Sequence, residues 1–170
     1  MRYSLVCLVL AGICDMFDGK VARMCKRTQE EKEFGIQIDS LADTVNFILV
    51  PVIIMLSLGM TSIIDFVIYT LFVIFGISRL GYFNVHADSE KAVSFYDGLP
   101  VTTTAIIYPV LGLLHGQIPE NTFCIIYIVA TLITAILFVT KIKVPKFKGM
   151  AYIIIPILAI VLTILLLVLR

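Results

Sequence analysis

Four aspartates at fixed spacing carry most of the chemistry available to this 170-residue chain. Asp15 and Asp18 stand three apart, and Gly35, Asp39 and Asp43 follow one another at intervals of four. Residues three and four apart share one face of an α-helix, so each pair presents its carboxylates together. At a rise of about 1.5 Å per residue, Asp39 and Asp43 lie about 6 and 12 Å beyond Gly35, and Asp18 and Asp15 about 7 and 12 Å inside Arg23. Two helices leaving the Met24–Phe34 connector in opposite directions would bring all four acids to matched depth. Ionised carboxylates packed this way repel unless their protons return or cations hold them. Oxygen-only donors select hard divalent ions such as Mg²⁺, Mn²⁺ or Ca²⁺. Two such ions would cancel four charges, and an ion pair suits phosphoryl transfer, with one stabilising the leaving oxygen and the other orienting the attacking one. Gly19 lets a ligand approach closely, Ala22 is small one turn on, and Arg23 offers a planar fork for phosphate. The alternatives are a proton or sodium relay in a transporter, or a polar cluster that glues helices. Glycine, alanine and arginine at fixed offsets from the acids favour phosphoryl transfer.

The elements that must position these groups follow from hydropathy. The chain is 60% hydrophobic and 15% charged, with mean hydropathy +1.05, which excludes a water-soluble domain. A net charge of +1 lacks the clustered basic excess of a nucleic-acid binder. Apolar segments run at Tyr3–Arg23, Phe34–Leu58, Ile63–Phe83, Leu99–Leu114, Thr122–Thr140 and Met150–Leu169, predicting an all-α, polytopic membrane bundle of about six transmembrane helices in one domain over 1–170. Short connections imply antiparallel neighbours. Only about 11 apolar residues precede Cys14, too few to cross about 30 Å of hydrocarbon, so the first helix must continue through Asp15 and Asp18 to Arg23. Pro51, Pro109 and Pro156 fall inside apolar segments and should kink them.

Lys20, Arg23, Lys26, Arg27 and Lys32 crowd the first connection, Arg79 and Lys91 flank the third, and Lys141, Lys143, Lys146 and Lys148 mark the fifth. The connections near Gly59 and Gln117 carry no lysine or arginine. By the positive-inside rule the basic connections are cytoplasmic, the active site faces the cytoplasm, and Met1 and Arg170 lie on the far side of a cell membrane. Cys7, Cys14, Cys25 and Cys124 show no metal-ligand spacing.

Asp15-Met-Phe-Asp18-Gly19-Lys-Val-Ala22-Arg23, followed by Gly35-Ile-Gln-Ile-Asp39-Ser-Leu-Ala-Asp43, resembles the signature of the CDP-alcohol phosphotransferases, D-x-x-D-G-x-x-A-R and then G-x-x-x-D-x-x-x-D. All eight specified positions are present. The polar, basic connector Met24–Phe34 is about three residues longer than the common form, which predicts an enlarged cytoplasmic loop. The resemblance implies transfer of a phosphatidyl or similar group from a CDP-linked lipid to an alcohol, with release of CMP. It implies that Asp15, Asp18, Asp39 and Asp43 bind two divalent ions, Mg²⁺, Mn²⁺ or Ca²⁺. Asp15, Asp18, Gly19, Ala22, Arg23 and Gly35 would hold the CDP group, and Asp43 would take the proton from the incoming alcohol. It also implies a homodimer, and an additional helix before the one that carries the first aspartates, which the chain as given starts without.

Asp39-Ser-Leu-Ala-Asp43, Arg79-Leu-Gly-Tyr-Phe83-Asn84 and Phe95-Tyr-Asp-Gly98-Leu99-Pro100 resemble the phosphatidylserine synthase branch, where the later runs read R-L-A-R-F-N and F-x-G-L-P-x-P. Gly81, Tyr82 and Thr102 depart from that pattern, and the resemblance fades after Thr104. It implies CDP-diacylglycerol and L-serine as substrates and attack on the β-phosphorus. Other acceptors, glycerol 3-phosphate or an inositol phosphate, would call for several basic residues in the cavity. Serine's carboxylate needs a cation, and Arg79 is the arginine of the interior helices outside the signature; it would otherwise snorkel to headgroups. Asn84 would accept from the serine ammonium or end a helix. Asp65, three after Ser62, reads as a helix cap on the far side, and His86 and His115 as interfacial polar residues.

Overall fold

A computed structural model describes residues 1–90, 95–145 and 150–168, with side chains at 1–85, 98–144, 150 and 154–168. Lys91, Lys146, Lys148, Arg170 and the His86 side chain therefore lie outside the described residues. Helix α1 spans Arg2–Met24 and continues through both first aspartates, as the count of apolar residues requires. Helix α2, Gln29–Asp43, begins well before Phe34. Its start is a capping box: the Glu31 N–H donates to Thr28 Oγ1 at 3.2 Å and the Thr28 N–H donates to Glu31 Oε2 at 2.7 Å. Those bonds satisfy donors that a bare helix start leaves open, and Glu30 and Glu31 complement its dipole. The expected enlarged loop is thus mostly helix, and the turn between α1 and α2 is reduced to 25–28.

From Asp43 the helix passes without a break through a π-helical stretch, Thr44–Leu49, into α3, Val50–Ser57. The Val50 N–H reaches back five residues to the Val45 carbonyl. Pro51 supplies the physical reason: it has no N–H, and its ring crowds the carbonyl four residues earlier, at Phe47. Wider turns just ahead of it relieve that crowding. Helix α4, Ile63–Glu90, returns antiparallel. Asp65 and Ser62 cap its start reciprocally, at 2.9 and 3.2 Å, as their spacing predicts. A short α5, Thr104–Gly112, precedes α6, Glu120–Val139, and α7, Ala151–Val168. Strands β1, Phe95–Asp97, and β2, Lys143–Pro145, pair antiparallel and tie the α4–α5 connection to the α6–α7 connection.

The result is an all-helical membrane bundle. Gln29–Ser57, Ile63–Val85 and Glu120–Val139 are long and apolar enough to cross a bilayer, while Val101–Gly112 and Ile154–Val168 are shorter apolar helices. Large apolar side chains point outward, Ile63 at 84% exposure and Ile64 at 70%. Contiguous surface of that kind suits hydrocarbon rather than water. Inside, α4 packs on α6, and α1 on α5 and α7. Phe72, Tyr108, Phe123, Tyr127 and Phe138 interlock as aromatic neighbours at the centre. Their polar tips are satisfied: the Tyr108 hydroxyl donates to Thr131 Oγ1 at 3.1 Å and the Tyr127 hydroxyl to the Tyr108 carbonyl at 3.0 Å. Helix α1 meets α5 at Gly12, where a Cβ would stand 2.6 Å from that of Ala105. Only glycine permits that approach, which presses the acid-bearing helix into the bundle.

Candidate functional site

Helices α1 and α2 diverge from a turn of a few residues, so positions equally far from it lie at similar depth. Asp15 comes from α1 and Asp39 and Asp43 from successive turns of α2. A carboxylate oxygen from each lies within 4.8 Å of the others. Asp15 and Asp43 are half-buried and Asp39 is exposed, so the cluster opens to one side. Three carboxylate oxygens converging at this spacing suit a hard cation, and they offer no nitrogen or sulfur donor that would favour a softer metal.

Asp18 is placed differently from its three partners. It is exposed, and its carboxylate accepts a hydrogen bond from the N–H of the next residue, Gly19. The structure thus brings together three of the four expected ligands, with Asp18 on the adjoining turn of α1. Around them, Gly19 and Gly35 leave open the space that a side chain would fill. The Arg23 guanidinium occupies that space over Gly19, with Nη1 3.5 Å from where a Cβ would stand. Ala22 is half-buried beside it.

Arg79 is buried, with only 5% of its surface exposed, which rules out a side chain snorkelling to the headgroups. Its Cζ lies 5.6 Å from the centre of the Phe83 ring, a cation–π distance. Gly98 sits directly against it: the backbone there is left-handed, with φ +87°, and a Cβ would stand 3.3 Å from Arg79 Nε and 3.1 Å from the Phe138 carbonyl. Glycine is therefore needed twice over, for its backbone and for the space. The Gly98 N–H donates to the Ile142 carbonyl at 2.7 Å, which holds the segment over the guanidinium. Gly98 falls within the Phe95–Pro100 run, and its spacing to Arg79 in the chain holds no signal of this contact.

Asn84 does not end its helix, since α4 runs on to Glu90. Its Nδ2 donates to Ser40 Oγ at 2.7 Å, and Ser40 Oγ in turn donates to the Ile36 carbonyl at 3.0 Å. Ser40 directly follows Asp39, so this bond ties α4 to the acid-bearing stretch of α2. Because the helices are antiparallel, the tie sets Arg79 at about the depth of Asp43. Asn84→Ala is expected to lower turnover several-fold, consistent with loss of one hydrogen bond worth about 1 kcal/mol, without changing the serine requirement. A selective rise in the KM for serine would return Asn84 to the acceptor site.

Other sequence candidates play lesser parts. His115 stacks edge-on against Phe123, with ring centres 5.1 Å apart, and Lys141 and Lys143 are exposed.

Residues 1–142 match the family model described as CDP-alcohol phosphatidyltransferase. The chain is 37% identical over 114 residues to a CDP-diacylglycerol–serine O-phosphatidyltransferase of Saccharomyces cerevisiae, covering 63% of this chain and 40% of that protein. It is 32% identical over 153 residues to a protein of the same name from Helicobacter pylori, covering 86% of this chain and 63% of that one. An archaetidylserine synthase of Methanothermobacter thermautotrophicus is 29% identical over 151 residues, with 88% of this chain and 61% of that protein covered. The chain thus spans between 40 and 63% of the length of these curated relatives. No solved structure matches it.

Proposed function

The chain belongs to the CDP-alcohol phosphatidyltransferase family, and from that premise we propose that it transfers the phosphatidyl group of CDP-diacylglycerol to the hydroxyl of L-serine, forming phosphatidylserine and CMP. The observation that carries this reading is the convergence of Asp15, Asp39 and Asp43, two of them on the stretch Gln29–Ser57 that is long and apolar enough to cross a bilayer. Carboxylates are costly there and need a function that repays them. The relatives described above are all named for making a serine lipid, and buried Arg79 offers the cation that a serine carboxylate requires.

Asp15, Asp39 and Asp43 would hold divalent cations, with Asp18 completing the set after turning from Gly19. Bound there, such ions would offset the charge of the donor's phosphates and of the leaving CMP. The residues themselves do the rest. Arg23 grips the diphosphate through its planar fork. Arg79 holds the serine carboxylate and so aims the hydroxyl at the β-phosphorus. Asp43 accepts the hydroxyl proton as the new oxygen–phosphorus bond forms. The bond from the β-phosphorus to the bridging oxygen breaks, and its electron pair leaves on CMP. Lipid tails would remain among the outward apolar side chains, and the acidic cluster would open on the basic, cytoplasmic side. Six crossings, as the hydropathy pattern implies, would put the α1–α2 turn and both short strands on that side.

One experiment tests the reading. The purified protein is incubated with CDP-diacylglycerol, Mg²⁺ or Mn²⁺, and labelled serine, glycerol 3-phosphate or inositol phosphate, and the lipid product is identified. Phosphatidylserine and equimolar CMP are expected, with product formation stopped by excess EDTA and restored by added metal. A different labelled lipid replaces serine as the acceptor, and full activity in EDTA removes the metals.

A further inference from the structure

We propose that Arg27, a residue outside the family signature, is a second guanidinium for the diphosphate of the nucleotide donor. This rests on the donor assigned above.

Arg27 lies in the short turn between α1 and α2, just before the Thr28 cap. Its side chain folds back over α2, with Nη1 3.4 Å from where a Cβ of Gly35 would stand. Gly35, Asp39 and Asp43 succeed one another by four residues, so a Cβ at 35 would point along the face that carries the acids. The guanidinium therefore sits on that face, about one helical turn or 6 Å outside Asp39. Its Nε is buried and has no hydrogen-bond partner among the described residues. A buried guanidinium edge left without an acceptor is costly, and it marks a place where a ligand would supply one.

The neighbouring arginine repeats the arrangement. Arg23 covers Gly19 on α1 just as Arg27 covers Gly35 on α2. Two planar forks thus stand at the two ends of one turn, on the connector side, or mouth, of the acidic cluster. A single carboxylate would occupy one of them; adjacent phosphates suit both. The direction of the reaction selects the same ligand. In an in-line displacement the attacking and leaving oxygens lie on opposite sides of the phosphorus. Asp43, the proposed base, and Arg79 lie deep, so the acceptor enters on the deep side. The leaving CMP then points to the mouth, where Arg27 waits. The basic connector is therefore more than a marker of membrane orientation.

Binding of CDP and of cytidine to the full chain in neutral detergent with Mg²⁺ tests this, because neither measurement depends on turnover and no anionic lipid is present. Arg27→Ala is expected to weaken CDP binding about tenfold or more, the range of a lost charge-assisted hydrogen bond, and to leave cytidine binding within twofold. If Arg27→Ala does not fold, Arg27→Gln keeps the stem without the charge and should show the same loss. CDP affinity within twofold of the unaltered protein overturns the proposal, as does a rise in the KM for serine with CDP binding unchanged. Equal losses for CDP and cytidine would assign Arg27 to the base or to the fold and overturn it too. An unaltered protein that binds no CDP would instead overturn the donor assignment itself.

Discussion

Replacing Asp43 with asparagine is expected to lower turnover by a factor of about 10² to 10⁴, the contribution typical of a positioned general base. The substitution keeps the size of the side chain and one oxygen but removes its capacity to take the serine proton. CDP affinity in the presence of Mg²⁺ should change far less, because Asp15 and Asp39 remain beside it within the same cluster. The comparison to make is single-turnover transfer against CDP binding for the same preparation. Near-normal transfer would remove Asp43 from the base role, whereas parallel loss of transfer and CDP binding would make it a metal ligand alone. Asp43 is also the last residue of α2 before the π-helical stretch. Its helix changes pitch there, so its carboxylate is aimed by the wider turns that Pro51 requires as well as by its spacing from Asp39.

Arg79→Ala should raise the KM for serine by about 10- to 100-fold, the equivalent of roughly 1.5 to 3 kcal/mol for a hydrogen bond to a charged group, with little change in the KM for CDP-diacylglycerol. Burial is the physical reason. An arginine with 5% exposure in a membrane bundle has given up the solvation that a snorkelling arginine retains, and an anionic acceptor is one reason to do so. Arg79→Lys should recover only part of the effect, since an ammonium cannot offer the planar fork. Serine kinetics unchanged in both variants would reduce Arg79 to a packing role against Phe83 and Gly98.

Much of the candidate site was legible because helical periodicity converts spacing directly into faces. The interval of four between Gly35, Asp39 and Asp43, and of three between Asp15 and Asp18, already states which carboxylates can meet, and hydropathy states that they meet below the membrane surface. The Ser62–Asp65 cap and the continuation of α1 through its aspartates follow from equally local rules. The connector is where composition misleads: Thr28 and Glu31 form a capping box that turns most of this polar stretch into helix, although its composition suggests a loop. Asp18 shares the periodicity of Asp15 and stands on the adjoining turn of α1, where its carboxylate accepts from the Gly19 N–H.

By itself the sequence determined a membrane bundle, the acidic faces of α1 and α2, and the gathering of basic residues in alternate connections, because each of these depends on residues within a few turns of one another. Only the tertiary structure decided that Arg79 lies buried under Gly98, that Asn84 donates to Ser40, and that Arg27 folds over Gly35. Arg79 and Gly98 are joined by the return of the α4–α5 connection against the end of α6, and Asn84 and Ser40 by the crossing of α4 over α2. Even the nearby Arg27 needed a turn of defined shape to reach its glycine. Such contacts are set by how helices pack and where the chain reverses, and no periodicity along the chain records them.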